Sequence, residues 1–199
     1  MSSLPDAPAT HRNREPILTQ LDKYLTAPST VLEIGSGTGQ HAVHFASHLP
    51  HVTWIPTELS ANLSGVEAWR QQSGLANLME SLVLDVSQPW PEGLAVDHIF
   101  TANTTHIMPS DAVERLFQGA GRQLPAKGYL FLYGPFKYDG QFTSASNAAF
   151  DLQLRQRAAH QGIRDIEQLI AWAGDAGMLL VADHTMPANN QFLVFQRTE

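Results

Sequence analysis

Apolar positions along this chain switch between two periods. Short runs such as Val31-Leu32, Val52-Thr53-Trp54-Ile55 and Tyr129-Leu130-Phe131-Leu132-Tyr133 read as strands. Between them apolar residues recur three and four apart, as in Ile17, Leu18, Leu21 and Leu25 or Ala42, Val43, Phe45, Ala46 and Leu49, and read as helices. The pattern predicts strands over 30–34, 52–56, 81–84, 98–103, 129–133, 179–183 and 191–196. It predicts helices over 14–25, 40–47, 61–72, 110–124, 147–160 and 165–176. Pro28, Pro50, Gly74 and Gly162 supply breaks, and Ser110, behind Pro109, is a candidate N-cap. Residues 1–11, rich in Pro, Ala and Ser, read as a loose tail, and 12–27 as an N-terminal helical segment that could form a lid.

Alternation of strand and helix implies right-handed crossovers and a parallel sheet covered on both faces. The last two strands, joined by 186–190, have the spacing of an antiparallel hairpin. The fold expected is α/β: a single Rossmann-like domain with a seven-stranded, mostly parallel sheet, one antiparallel strand and helices on both faces. No repeat or low-complexity segment interrupts it.

The most informative stretch is Val31-Leu32-Glu33-Ile34-Gly35-Ser36-Gly37-Thr38-Gly39. A strand runs into glycines at alternate positions and then into a helix, the unit that holds ligands in open α/β sheets. Glycine permits positive φ and close approach of backbone to ligand, and a helix N-terminus offers unpaired N–H groups. The spacing is G-x-G-x-G, with Gln40 where the third glycine of a dinucleotide G-x-G-x-x-G would fall, and no phosphate P-loop is present. Glu33, two residues before the first glycine, opposes a phosphate and tolerates an ammonium. The stretch resembles motif I of the class I S-adenosylmethionine-dependent methyltransferases, which implies that fold and that cofactor, with S-adenosylhomocysteine as product.

Ligands in such sheets lie beyond the carboxyl ends of the strands. On this reading Glu33, Gly35, Ser36, Gly37, Thr38 and Gly39 approach the methionine half of the cofactor. Glu58, with Leu59 beside it, ends the second strand, where a carboxylate can accept both hydroxyls of a ribose. Asp85 follows the third strand, placed to accept from an adenine amine with Val86 against the ring, or else to cap the next turn. Asn103, Thr104, Thr105 and His106 follow the fourth strand, where methyl group and substrate would meet.

Composition narrows the partners. The 199 residues are 43% hydrophobic and 16% charged, with a formal net charge of −7. That balance argues against nucleic acid as the main partner, although Arg12 with Arg14, or Arg155 with Arg157, could form a local basic patch. No cysteine is present, which excludes disulfides and thiolate metal sites. No signal peptide or membrane-spanning stretch is read, so the expectation is a cytoplasmic protein with no membrane partner.

A closer resemblance covers nearly the whole chain. Its segments are Arg12-Asn13-x-x-Pro16-Ile17-Leu18, Ser36 through Ala46, Tyr133-Gly134-Pro135-Phe136, Ser146-Asn147-x-x-Phe150-Asp151, Gly162-Ile163-Arg164-Asp165 and Met186-Pro187-Ala188-Asn189-Asn190. They are similar to a family of class I methyltransferase-like proteins long catalogued as a domain of unknown function, which includes methyltransferase-like 26. The resemblance implies the fold and S-adenosylmethionine binding and little about the substrate. Two departures stand out: Pro56-Thr57-Glu58 replaces an expected Pro-Ser-Asp, and Thr104 and Thr105 stand where apolar residues are usual.

Methyl transfer from a sulfonium is a direct displacement, for which a protein chiefly supplies alignment. His106 is the best-placed candidate base and Tyr133 a candidate for orienting substrate, each with a plain packing role as the alternative. His41 and His44, three apart, could face one another but lack the ligand set of a zinc site, so no metal is expected. Arg12, Asn13, His41, Asn147, Arg164 and Asn189 are candidates for substrate binding or a lid, Arg12 as a carboxylate partner. The prolines and tyrosine of an N-P-P-Y amino-methylation motif are absent after the fourth strand. The reading is a methyltransferase acting on an unidentified small molecule; a non-catalytic S-adenosylmethionine-binding interaction protein and a protein-directed methyltransferase remain the alternatives.

Overall fold

A computed structural model describes residues 4–91 and 93–199. In chain order its elements are α1 (Pro8–Tyr24), β1 (Ser29–Ile34), α2 (Gln40–His48), β2 (Val52–Glu58), α3 (Leu63–Ser73), β3 (Leu82–Val83) and β4 (His98–Ala102). There follow α4 (Ser110–Gln123), β5 (Tyr129–Gly134), β6 (Phe136–Tyr138), β7 (Gln141–Phe142), α5 (Ala145–Arg157) and β8 (Arg164–Asp165). The chain ends with α6 (Ile166–Asp175), β9 (Met178–Met186) and β10 (Asn190–Arg197).

Seven strands form one sheet in the order β3-β2-β1-β4-β5-β10-β9. β1 runs parallel to β2 and β4, and β10 is antiparallel to β5 and to β9, so β10 is the reversed strand anticipated from the pattern. The chain's contacts cluster into two compact units. Unit one is Met1–Asp85 with Trp90–Thr101, and unit two is Val86–Pro89 with Ala102–Glu199. Unit one has its own core of Ile17, Leu21, Val31, Leu32, Phe45, Trp54 and Phe100, all fully buried. There the rings of Phe45, Trp54 and Phe100 meet pairwise with centroids 5.3–5.7 Å apart, within the range where aromatic contacts add to simple burial. Unit two is centred on Leu116, Phe117, Leu130, Phe131, Leu132 and the run Phe192–Phe195.

Three local expectations need correction. The first helix starts at Pro8, not near residue 14, so the loose tail assigned to 1–11 is shorter; residues 1–3 of it lie outside the described residues. Proline is favoured at the first helical positions, and the face that docks is partly polar: Thr10, Asn13, Ile17 and Leu21 are its buried residues. Ser110 does not cap α4; Pro109 holds the N-cap position and no side chain accepts there. The stretch between β5 and α6 is not helix and coil alone. It carries a second sheet of order β7-β6-β8. Its β6–β7 hairpin turns through Asp139 and Gly140, both at positive φ, the signature of an Asp-Gly hairpin turn. The expected β9–β10 hairpin is present, and its connection is a short 3₁₀ turn, Pro187–Asn189, with Ala188 and Asn189 at φ 58 and 57.

Candidate functional site

The glycine loop of unit one is stitched to the end of β2. Ser36 N–H donates to the Thr57 carbonyl at 2.8 Å, Thr57 N–H donates to Ser36 Oγ at 3.2 Å, and Thr57 Oγ1 donates to the Glu33 carbonyl at 2.7 Å. Two of its glycines do different work. Gly37, at φ +59, would meet nothing within 4 Å if it carried a Cβ, so it borders open space. At Gly39 (φ +89) a Cβ would lie 2.9 Å from Val66 Cα, so its bare backbone lets α3 pack against the start of α2. Thr38 Oγ1 donates to Gln40 Oε1 at 2.8 Å and helps shape the turn into the helix.

Glu58 is buried at the end of β2 and points into this loop. Its Oε2 accepts the Gly37 N–H at 2.8 Å, and its Oε1 accepts the N–H of Leu59, itself exposed, at 2.8 Å. Asp85 follows β3, whose Val83 pairs with Glu58, so the two acids end neighbouring strands. Glu33 behaves otherwise. Its Oε2 accepts the Trp54 indole N–H at 2.9 Å, and the side chain is 1% exposed. Burial pushes its carboxyl up to about 7, opposed by hydrogen bonds from Trp54 and Ser36. The structure therefore turns Glu33 into the interior of unit one rather than toward the loop's open side.

Gln40, which spacing singled out only as a missing glycine, ties the N-terminal segment to the loop. Its Oε1 accepts the Ala7 N–H at 2.7 Å and its Nε2 donates to Asp6 Oδ1 at 2.9 Å. At the next residue, His41 Nε2 donates to Asn13 Oδ1 at 2.8 Å; an amide oxygen only accepts, so the imidazole proton sits on Nε2. His41 stacks on Phe45 at 5.2 Å, and burial, with smaller contributions from His44 and Arg14, pushes it down to about 3. His44 Nε2 lies 3.4 Å from Glu15 Oε1, and burial holds it down at about 4. Both imidazoles are thus neutral packing groups between α1 and α2. Among the described residues no cluster of three or more His, Cys, Asp or Glu is arranged to hold a metal. Arg12 lies within α1 and is exposed.

Unit two holds the remaining candidates. Val86 is buried at its first position. Asn103, at φ 60, donates its N–H to the Tyr133 carbonyl at 2.8 Å, and Tyr133 is buried on β5. His106 is 5% exposed and sits edge-on to Phe150 at 5.3 Å. Burial, with the Arg164 charge second, pushes its imidazole down to about 4, so it is neutral at physiological pH. Its carbonyl accepts the Gly162 N–H at 2.9 Å, and its Nδ1 is buried without a hydrogen-bond partner. Arg164 secures this loop: Nε donates to the Thr105 carbonyl at 2.9 Å, and Nη2 to the carbonyls of Met108 and His160. Asn147 donates to the Asn189 carbonyl at 2.9 Å, and Asn189 Nδ2 to Ser146 Oγ at 3.2 Å. These two asparagines brace the left-handed turn before β10. Asp151, which sequence reasoning named only within a family segment and gave no role, is 5% exposed, accepts the Ile163 N–H at 2.7 Å and pairs with Arg155 at 2.7 Å. Its spacing to Arg155 is the signal that was available.

The reversed-strand sheet with a glycine turn after β1 and a carboxylate after β2 defines a Rossmann-like, methyltransferase-type fold. The family model described as "Protein of unknown function (DUF938)" matches residues 5–197, and the chain belongs to that family. Solved structures with the same fold include an O-methyltransferase family protein from Burkholderia thailandensis, with TM-score 0.83 and 17% identity, covering 96% of this chain and 58% of that one. Human N-acetylserotonin methyltransferase in complex with SAM matches with TM-score 0.79 and 13% identity over 96% of this chain and 53% of that one. An O-methyltransferase family 2 protein from Planctomyces limnophilus, solved with apigenin, matches with TM-score 0.75 and 16% identity over 93% of this chain and 62% of that one. The chain thus spans little more than half the length of these proteins. Among the described residues no helix is long and apolar enough to cross a membrane.

Proposed function

We propose that the chain is an S-adenosylmethionine-dependent methyltransferase that acts on a small molecule by direct methyl displacement. The carrying observation is the Glu58 carboxylate, fixed at the end of β2 within 2.8 Å of the Gly37 backbone N–H at the glycine loop's open side. A carboxylate held there accepts from a ribose diol, the loop backbone takes the amino-acid end, and Asp85 takes the adenine amine. The bound cofactor supplies a methyl group already activated on sulfur. What remains for the protein is alignment, worth roughly 7–11 kcal/mol for well-oriented reactants, and proton acceptance where the acceptor arrives protonated. His106 is assigned that second task, because its imidazole is neutral and its Nδ1 is unpaired. A single methyltransferase-like domain, the N-terminal helix as a lid, a cytoplasmic location and kinship with methyltransferase-like 26 belong to the same reading.

Calorimetry with S-adenosylmethionine, S-adenosylhomocysteine and NAD tests it. The two adenosyl ligands should bind and NAD should not. Glu58→Ala, which removes a charged acceptor pair, should weaken adenosyl binding by about 30-fold or more. Absence of adenosyl binding in the intact chain would sink the methyltransferase reading, and with it the S-adenosylmethionine-binding alternative, and favour a retired fold used as an interaction module. His106→Ala should keep cofactor affinity and lose about 100-fold or more in transfer from labelled S-adenosylmethionine to a hydroxyl acceptor; parallel losses of binding and transfer would remove His106 from the chemistry.

A further inference from the structure

We propose that Gly134, Gln191 and His106 form a subsite in unit two for the hydroxyl group of an uncharged, ring-bearing molecule. The inference rests on the methyltransferase reading only in naming that molecule as the methyl acceptor; the subsite itself stands on the geometry of unit two.

His106 Nδ1 and Gln191 Oε1 are both buried without a hydrogen-bond partner. Such atoms are rare in folded proteins, because each has given up its bond to water with nothing in exchange. The two residues border the same end of β5. Gln191 is the direct antiparallel partner of Gly134, and residues paired in this way project to the same face of a sheet. On that face, a Cβ on Gly134 would lie 3.7 Å from His106 Nδ1 and 4.0 Å from Phe136 Cζ. The unpaired His106 nitrogen thus borders the spot where Gly134 lacks a side chain, and Gln191 projects to the same face from the paired position on β10. The parity of β10 agrees: Phe195, on the same face as Gln191, packs edge-on to Phe117 of α4 at 5.2 Å, and His106 lies just ahead of α4.

The donor and acceptor balance selects the ligand. A hydroxyl has one proton and two lone pairs, so one oxygen can donate to Gln191 Oε1 and pair with His106 Nδ1 in either tautomer. A carboxylate only accepts and would face the Gln191 oxygen without a proton to offer. An ammonium needs a counter-charge, and the buried Asp151 carboxylate of unit two is committed to the Ile163 N–H and to Arg155. The Arg164 guanidinium is likewise committed to three backbone carbonyls and gives an anion no partner. Phe136 and Phe150, the latter edge-on to His106, give the site aromatic walls. A phenolic hydroxyl matches both features.

The test titrates phenol, benzylamine and benzoate into the full chain carrying ¹⁵N-labelled histidine and glutamine. The readouts are the His106 ring nitrogens and the Gln191 side-chain amide. Phenol should shift both signals and bind at least about tenfold more tightly than either charged probe. Gln191→Leu and Gly134→Ala should each weaken phenol at least about tenfold. Gly134→Ala is the sharper variant. Its added methyl makes only ordinary contacts, and Gly134 is not at positive φ, so the chain should fold with an unchanged Tm while the gap is filled. Equal binding of the three probes, tighter benzoate, or phenol binding that survives Gly134→Ala overturns the proposal. S-adenosylmethionine is titrated in parallel. Phenol binding in a chain that does not bind it sinks the methyltransferase reading and leaves the subsite standing; the reverse result sinks the subsite alone.

Discussion

A Gly39→Ala chain is expected to lose about 3 kcal/mol of folding stability. Two costs combine. An L side chain at φ +89 sits in the left-handed region, a cost of roughly 1–2 kcal/mol. The new Cβ also falls 2.9 Å from Val66 Cα, 3.2 Å from the Val66 carbonyl oxygen and 3.3 Å from Trp69 Cβ. None of these atoms lies at the end of a flexible side chain, so relief requires α3 to move, and overpacking of that kind costs about 1–3 kcal/mol. Gly37→Ala is the control. It carries left-handed strain but meets nothing within 4 Å, so its stability loss should be near 1 kcal/mol. It should nevertheless weaken S-adenosylmethionine binding, because its methyl occupies the open side of the loop. Urea unfolding of both variants beside ligand titration checks the pair; equal stability losses would remove the division of labour between the two glycines.

Glu33→Gln should flatten the pH dependence of stability and stabilise the chain at alkaline pH. Burial raises the Glu33 carboxyl to about 7 in the folded chain, from 4.5 as the ordinary value. Below the lower value, folded and unfolded chains both carry the proton and no penalty arises. Between the two, only the folded chain holds it, so stability falls as pH rises. Above about 7 the folded chain must bury a carboxylate beside Glu58, at a total cost on the order of 3 kcal/mol. Glutamine keeps an oxygen for the Trp54 indole and never ionises. Denaturant unfolding at pH 8 should find the variant more stable by up to about 3 kcal/mol, and at pH 5 within about 1 kcal/mol of the parent. Parallel curves for the two chains would mean that Glu33 is not buried as an anion at alkaline pH.

The alternation of strands and helices was legible because it is written in period: Val31-Leu32 or Val52 to Ile55 cannot be confused with the spacing of Ile17, Leu21 and Leu25. The glycine loop was legible because three glycines at alternate positions, directly after an apolar run, suit a tight turn and neither a strand nor a helix interior. Glu58 was legible because a strand end is a defined place. Other features depend on tertiary partners. Thr10 and Asn13 are polar, so their burial in α1 leaves no trace in an apolar pattern. Glu33 looks like a ligand-facing acid until Trp54, 21 residues away, is seen to claim it. Arg164 and Asn147 resemble substrate contacts, yet backbone carbonyls occupy both. Gln191 reads as the polar start of a strand, and only its register against Gly134 gives it meaning. The Asp139-Gly140 turn was readable and was passed over because its strands, of three and two residues, are too short to show a period.

The partners around the glycine loop are distant in sequence. Asp6 and Ala7 reach Gln40 across 34 and 33 positions, and Glu58 reaches Gly37 across 21. Contacts of such separation form only after long stretches of chain have been closed into loops, which is slow and entropically costly. The loop's geometry therefore depends on partners that its own segment does not contain. A nascent chain that has emerged only as far as Pro56 already displays every glycine of the motif and lacks the acid that orders it. The loop's shape is thus a property of the finished fold and not of the segment that announces it.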